Sequence, residues 1–375
     1  MDFSELWPEL TKGLANFSVG NAVMIAAGLG LIALAVLKQY EPVLLLPIGF
    51  GCILAKIPLT GMLGDHGLFG VLYDAGISNE LFPLLIFVGV GAMIDFSPLL
   101  SQPKMVLLGA AGQFGIFGTL ILATLLKFPL NEAASIGVIG AIDGPTSIYV
   151  ASKLAPDLLA PIAVAAYSYM SLVPIIQPPV MRLLTTREER MIRMEYAPRP
   201  VSRRALVLFP IVVTLVIGLL VPDATPLISM LMLGNLLRES RVVERLTRAA
   251  ENEIINIATL FLGLTVGSTM TAASFLRLDT LQILILGLLA FVLDTAAGLL
   301  FGKLMSRVSG GKINPLIGAA GISAFPMAGR LAAQVAQDED FENFILMHAM
   351  GANTAGQLGS VMAGGVLLAL VTAIL

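Results

Sequence analysis

Residues 137–150 read Gly137-Val-Ile-Gly140-Ala-Ile-Asp143-Gly144-Pro145-Thr146-Ser147-Ile-Tyr149-Val150. An aspartate stands inside an otherwise apolar segment, and the Gly144-Pro145 pair directly after it disfavours a continuous helix. Two hydroxyls follow. A carboxylate within a membrane segment is costly and marks a functional site by default. A backbone broken beside it frees carbonyl oxygens, which are the ligands a hard cation such as sodium takes. Asp143 also suits the N-cap of a helix starting near Pro145. A cap leaves one carboxylate oxygen free, so the two roles coexist. No Lys or Arg follows before Lys153, which makes a cation or a proton the economical partner.

Composition places this segment in a membrane. Of 375 residues, 57% are hydrophobic and 13% charged, against about 25% charged in soluble domains; mean hydropathy is +0.90. The expectation is an all-α polytopic membrane protein. The single cysteine, Cys52, excludes an intrachain disulfide framework, and two histidines, His66 and His348, give little material for a zinc site. The N-terminus has no basic n-region or cleavage motif. Residues 3–17 read as a short interfacial helix with Trp7 at headgroup level.

Apolar runs recur at 19–37, 42–57, 81–101, 104–127, 134–152, 158–181, 205–221, 226–237, 254–275, 280–302, 313–336 and 343–375. Several are interrupted by Gly and Pro; 158–181 carries Pro161, Pro174, Pro178 and Pro179 and reads as a broken helix. Residues 182–204 hold Arg182, Arg187, Arg190, Arg193, Arg199, Arg203 and Arg204, and the positive-inside rule makes this loop cytoplasmic. The connections Arg238–Arg248 and Lys303–Lys312 lie two apolar runs apart in turn, so all three fall on one side. The 58–80 loop has Asp65, Asp74 and Glu80 and no Lys or Arg, and reads as external.

The basic loop divides an internal duplication. Ile136-Gly137 to Asp143-Gly144-Pro145 matches Ile317-Gly318 to Ser323-Ala-Phe-Pro326, and Phe87-Val-Gly89 matches Phe261-Leu-Gly263 at nearly the same offset. The expected organisation is an interfacial segment at 1–18, a first membrane repeat at 19–181, the basic loop 182–204 and a second repeat at 205–375. The repeats are expected to be inverted. Each has one interrupted or re-entrant segment, 134–152 or 313–336, and the whole is elevator-transporter-like.

Three further polar islands accompany Asp143. Ser323 stands near Asp143's place in the second repeat, and Arg330 follows that break by one turn, roughly as Lys153 follows the first. Tyr167-Ser168-Tyr169 precedes Pro174 and Gln177-Pro178-Pro179. Asn353 and Gln357 share a helix face one turn apart, with Gly356 and Ser360 beside them and His348 before them. Asp294 is a second intramembrane carboxylate, with nothing around it to break the helix, and is expected to bond to a neighbouring helix. There is no P-loop, no GxSxG and no dinucleotide fingerprint, and no nucleic-acid surface.

With Gly140-Ala-Ile-Asp143-Gly144-Pro145-Thr146, Ala166-Tyr-Ser-Tyr169-Met, Pro174-Ile-Ile-Gln177-Pro178-Pro179, Ser323-Ala-Phe-Pro326 and His348-Ala-Met-Gly351-Ala-Asn353 assembled, the chain resembles a known family from about residue 20 to its end. This is the β subunit of the sodium-pumping biotin-dependent decarboxylases of oxaloacetate, methylmalonyl-CoA, glutaconyl-CoA and malonate. The resemblance implies a carboxybiotin decarboxylase in a bacterial cytoplasmic membrane. Such a subunit releases CO2 from carboxybiotin carried on a partner, exports sodium and consumes a proton. The implied partners are a biotinylated carrier or carboxyltransferase α subunit and a small γ- or δ-type membrane subunit, with a homotrimer as the oligomer. Asp143, Tyr169 and Arg330 are the implied catalytic residues. Lys153, Arg330 and His348 are candidates for contact with carboxybiotin. Sodium is assigned to Asp143, Asn353, Tyr169, Ser360, Gly356, Gln357, Ser323 and Thr146. The family pattern also has a functional arginine late in the chain. No Lys or Arg follows Arg330 here, so either Arg330 takes that role or proton and carboxylate handling differ. The rival reading is a sodium-coupled carrier of a small organic anion, which needs no biotinylated companion.

Overall fold

The computed structural model describes residues 11–195, 200–272 and 277–375, within which all regular structure is helical. Trp7 and the first part of the interfacial segment lie outside the described residues. The first half comprises α1 (Val19–Leu37), α2 (Pro42–Ala55), α3 (Leu81–Met93), α4 (Met105–Ala111), α5 (Phe114–Leu125), α6 (Leu130–Gly137), α7 (Gly144–Leu154) and α8 (Leu159–Leu184). After the arginine-rich loop come α9 (Arg203–Leu220), α10 (Thr225–Ser240), α11 (Ile255–Thr269), α12 (Leu278–Val308), α13 (Leu316–Ala319), α14 (Met327–Glu339) and α15 (Leu346–Ile374). Among the described residues six helices, or continuous helical pairs, are long and apolar enough to cross a bilayer, and a bent pair, 68–78 with 81–93, adds a seventh when counted as one span. This is a multi-pass membrane protein.

Two helix pairs cross between the halves. α2 lies against α11, and α3 against α10. Each crossing uses glycine reciprocally. A Cβ on Gly51 would stand 2.1 Å from the Leu264 carbonyl oxygen, and one on Gly267 2.0 Å from that of Ile48. In the other pair Gly91 faces Leu231 at 1.8 Å and Gly234 faces Val88 at 1.9 Å. Backbone against backbone is the membrane solution to packing, because lipid supplies no hydrophobic drive between helices. α1 and α9 pack outside these pairs, on α2 and α10, and stay largely exposed, as lipid-facing helices do.

Two expectations need correction. The prolines of 158–181 do not break the helix: α8 runs unbroken through Pro174, Pro178 and Pro179. Proline is tolerated there because neighbouring helices re-satisfy the freed carbonyls. The 58–80 connection is not plain loop; it holds the helix Leu68–Leu72 and a π-turn, Tyr73–Ser78, that leans on α3 at 59°. The run 104–127 holds a candidate span, Met105–Leu125, with a short turn at Gly112-Gln113 between α4 and α5.

The two interrupted segments meet at their tips. The first passes from α6 through a 3-10 turn, Val138–Ala141, to Ile142 in the left-handed region (φ 53°) and then Asp143. A β-branched residue rarely adopts that region. The second passes from α13 through residues 320–326 to α14. The Ser323 N–H donates to the Ala141 carbonyl at 3.3 Å. From this meeting point α7 runs out to Lys153 in its last turn, which pairs with Glu80 at 2.7 Å, at the start of α3. α14 ends at Asp338, Glu339 and Asp340, which pair with Arg182 (2.6 Å), Arg190 (2.7 Å) and Arg193 (2.6 Å) of the basic loop.

Candidate functional site

Asp143 is the N-cap of α7, receiving the Thr146 N–H on Oδ1 at 3.4 Å. Its other oxygen, Oδ2, accepts three side-chain bonds: from the Thr146 hydroxyl at 2.8 Å, the Gln357 amide at 2.9 Å and the Ser360 hydroxyl at 2.9 Å. Gln357 and Ser360 project from one stripe of α15. All four residues are buried. The carboxylate of the first half is therefore held by the last helix of the second.

Magnitudes show what this shell leaves undone. A hydrogen bond to a charged group contributes about 1.5–3 kcal/mol. Moving a bare carboxylate into a medium of protein-like dielectric has an idealised cost on the order of 20 kcal/mol. The donors offset part of that, and Oδ1, with one long bond, is the oxygen left for a counter-charge.

Asp143 opens onto a cavity of about 640 Å³. Gly144, Tyr167, Ser323, Arg330 and Gln357 share its wall, together with Glu41, Asp95 and Asn256. Arg330 is exposed on α14 and makes no ion pair among the described residues. A buried carboxylate whose Oδ1 accepts one long hydrogen bond thus shares a chamber with an accessible guanidinium.

The structure distributes the remaining sequence candidates as follows. Thr146, Gln357 and Ser360 touch Asp143. Ser323 lines the cavity and donates to the Gly356 carbonyl at 2.9 Å. Asn353 donates to the Ile322 carbonyl at 2.7 Å, leaving its buried Oδ1 without a partner. Tyr169 is turned away; its hydroxyl donates to the Leu284 carbonyl. Lys153 sits at the far end of α7 with Glu80. His348 is buried and bonds the Glu195 main chain. Asp294 accepts from the Gly115 N–H of a neighbouring helix, as expected.

One participant escaped sequence reasoning. Gln113, at the α4–α5 break, donates from one amide nitrogen toward the carbonyls of Gly109 (3.1 Å), Gly321 (3.3 Å) and Gly356 (3.2 Å). The Gly-Gln-Phe-Gly sequence at 112–115 was the available signal. Gln177 donates to the Ala319 carbonyl at 2.7 Å, bracing the second interrupted segment from α8.

A family model described as the Na+-transporting oxaloacetate decarboxylase beta subunit matches residues 20–371. The chain belongs to this family. Among its relatives, the β subunit of methylmalonyl-CoA decarboxylase from Veillonella parvula is 55% identical over 361 residues, covering 96% of each chain. The β subunit of glutaconyl-CoA decarboxylase from Acidaminococcus fermentans is 55% identical over 360 residues, again covering 96% of each. A probable oxaloacetate decarboxylase beta chain from Pasteurella multocida is 47% identical over 424 aligned positions, covering 97% of this chain and 98% of the relative. This chain is accordingly a decarboxylase β subunit embedded in a membrane. The near-complete coverage brings Asp143, Arg330, Gln357 and Ser360 all within the matched region.

Proposed function

We propose that this β subunit decarboxylates carboxybiotin in the Asp143 cavity and couples the reaction to sodium export. The observation that carries this reading is the half-satisfied carboxylate of Asp143 on the wall of the chamber that Arg330 also lines. Sodium is cargo, taken at Asp143 with oxygens from Thr146, Ser323, Ser360, Gln357 and Asn353 within reach of the two tips. Carboxybiotin, carried on a partner subunit, is the substrate. When its N–C bond breaks, CO2 leaves and the ureido nitrogen keeps the electron pair and takes up a proton. Arg330 holds the carboxylate before that cleavage. Asp143 exchanges sodium for the proton, so that loss of one accompanies gain of the other.

Residues 19–181 and 205–375 act as two repeats of opposite orientation, flanking the cytoplasmic loop 182–204 and preceded by the segment 1–18. The order of helices in the two halves supports this. So does sidedness: α7 ends at Glu80, at the start of α3, whereas Arg238 of the basic connection bonds the Met93 carbonyl at the other end of α3. An elevator-like shift of the joined tips against the crossed α2/α11 and α3/α10 pairs would carry the ion. The subunit works in a bacterial cytoplasmic membrane, as a homotrimer with a biotinylated carrier and a small membrane subunit.

The test is the purified complex in vesicles. Avidin-sensitive, sodium-dependent decarboxylation is expected, and Asp143→Asn abolishes it. Sodium-stimulated turnover in that variant rejects the assignment, and purification without any biotinylated companion favours a carrier instead.

A further inference from the structure

We propose that Tyr167 is a catalytic residue of this cavity, its phenol donating a hydrogen bond to an oxygen of the bound carboxylated substrate beside Asp143. The proposal rests on the reading of the cavity given above and adds a residue to it.

Tyr167 lines the cavity together with Asp143, Gly144 and Gln357. Its ring stands on the helix break itself: a Cβ added to Gly144 would lie 2.1 Å from the ring Cζ and 2.5 Å from each Cε. Contact at Cζ puts the hydroxyl end of the ring, not its root, over the side-chain face of the Gly144 Cα. Glycine is needed at 144 for that approach. The Tyr167 hydroxyl is buried and has no hydrogen-bond partner among the described residues.

Buried tyrosine hydroxyls ordinarily find a partner, and exceptions call for an explanation. Here the unpaired phenol belongs to a residue on the wall of a chamber that holds a carboxylate and a guanidinium, so the missing acceptor is supplied by what the chamber binds. A carboxyl or ureido oxygen accepts an O–H bond. Tyr169 cannot substitute. Two residues further along α8 it is rotated by roughly 200°, and its hydroxyl is engaged by Leu284. The other hydroxyls at the break are engaged: those of Thr146 and Ser360 by Asp143, and that of Ser323 by the Gly356 carbonyl.

The test is Tyr167→Phe in the intact complex, which keeps the ring on Gly144 and removes only the oxygen. At saturating sodium, kcat for decarboxylation is expected to fall at least tenfold, with the sodium half-saturation and the melting temperature unchanged. A kcat within twofold of the parent overturns the proposal. So does a sodium half-saturation shifted more than fivefold at unchanged kcat, which would make the phenol a sodium ligand. If the parent complex itself shows no sodium-dependent decarboxylation, the reading of the cavity fails with it; a normal parent with an unaffected variant removes Tyr167 alone.

Discussion

The three side-chain donors on Asp143 Oδ2 come from two elements, so each can be removed without cutting the backbone at the break. Ser360→Ala takes away one bond to a charged group and should lower stability by about 1.5–3 kcal/mol in sodium-free buffer. Because a cation binding only the native state adds stability, and the Ser360 hydroxyl is also one of the oxygens proposed for sodium, the deficit should widen in saturating sodium. Thermal melts in choline and in sodium salts measure both; equal melting temperatures without sodium would show that the bond contributes nothing. At this scale the sequence was most informative where chemistry and conformation coincide. An aspartate followed by Gly-Pro in an apolar run announces itself, and Gln357 stood out by its one-turn spacing from Asn353, whereas Ser360 came only with the family resemblance. Tyr167 and Tyr169 were not separable, because two phenols a little over half a turn apart have the same local sequence. Only the packing of α8 decides which one faces Gly144.

At the scale of elements, the crossed pairs and the arginine cluster make distinct predictions. Gly234→Ala places a methyl within 1.9 Å of the Val88 carbonyl oxygen, and α10 must move off α3. Overpacking of this kind costs about 1–3 kcal/mol, occasionally more, and should appear as a lower melting temperature in detergent, whereas an unchanged one would mean that the pair is loose. The arginine cluster is sensitive to acid. Hydrogen bonds from Arg190 and Arg193 hold the carboxyls of Glu339 and Asp340 below the usual carboxylate range. A depressed folded pKa stabilises fully above the unfolded value of about 4, and the contribution is lost as pH falls through the folded value. The end of α14 should therefore stay closed from neutral pH to about 5 and open below 4, seen as faster amide exchange at 336–340. Protection that is flat across that range would detach the cluster from α14. Helix existence was largely legible from apolar runs and arginine spacing. What misled were prolines, whose cost inside a helix depends on neighbours that no local window contains; the short Gly112-Gln113 turn has no proline to mark it.

For the whole molecule, sidedness is the most direct check. Cys52, the single cysteine, is buried and its thiol donates to the Met24 carbonyl, so a Cys52→Ala background is suited to labelling with impermeant maleimides. Asp65→Cys should react only from outside the cell and Glu195→Cys only from inside; reaction of both from one side would make the repeats parallel. The α4–α5 break has a consequence at this scale. Gln113 grips Gly321 and Gly356. Two residues on, Gly115 binds Asp294, and its main chain lies against Gly140, where an added Cβ would come within 3.1 Å. One short turn of chain therefore holds both tips, which are some 180 residues apart in sequence. A slide of a few ångströms of one tip past the other would tear the amide bonds and drive Gly140 into Gly115. If the tips shift as proposed, they would have to travel as one piece, and a cross-link between the tips should leave turnover intact where a cross-link from either tip to α2 or α10 should stop it.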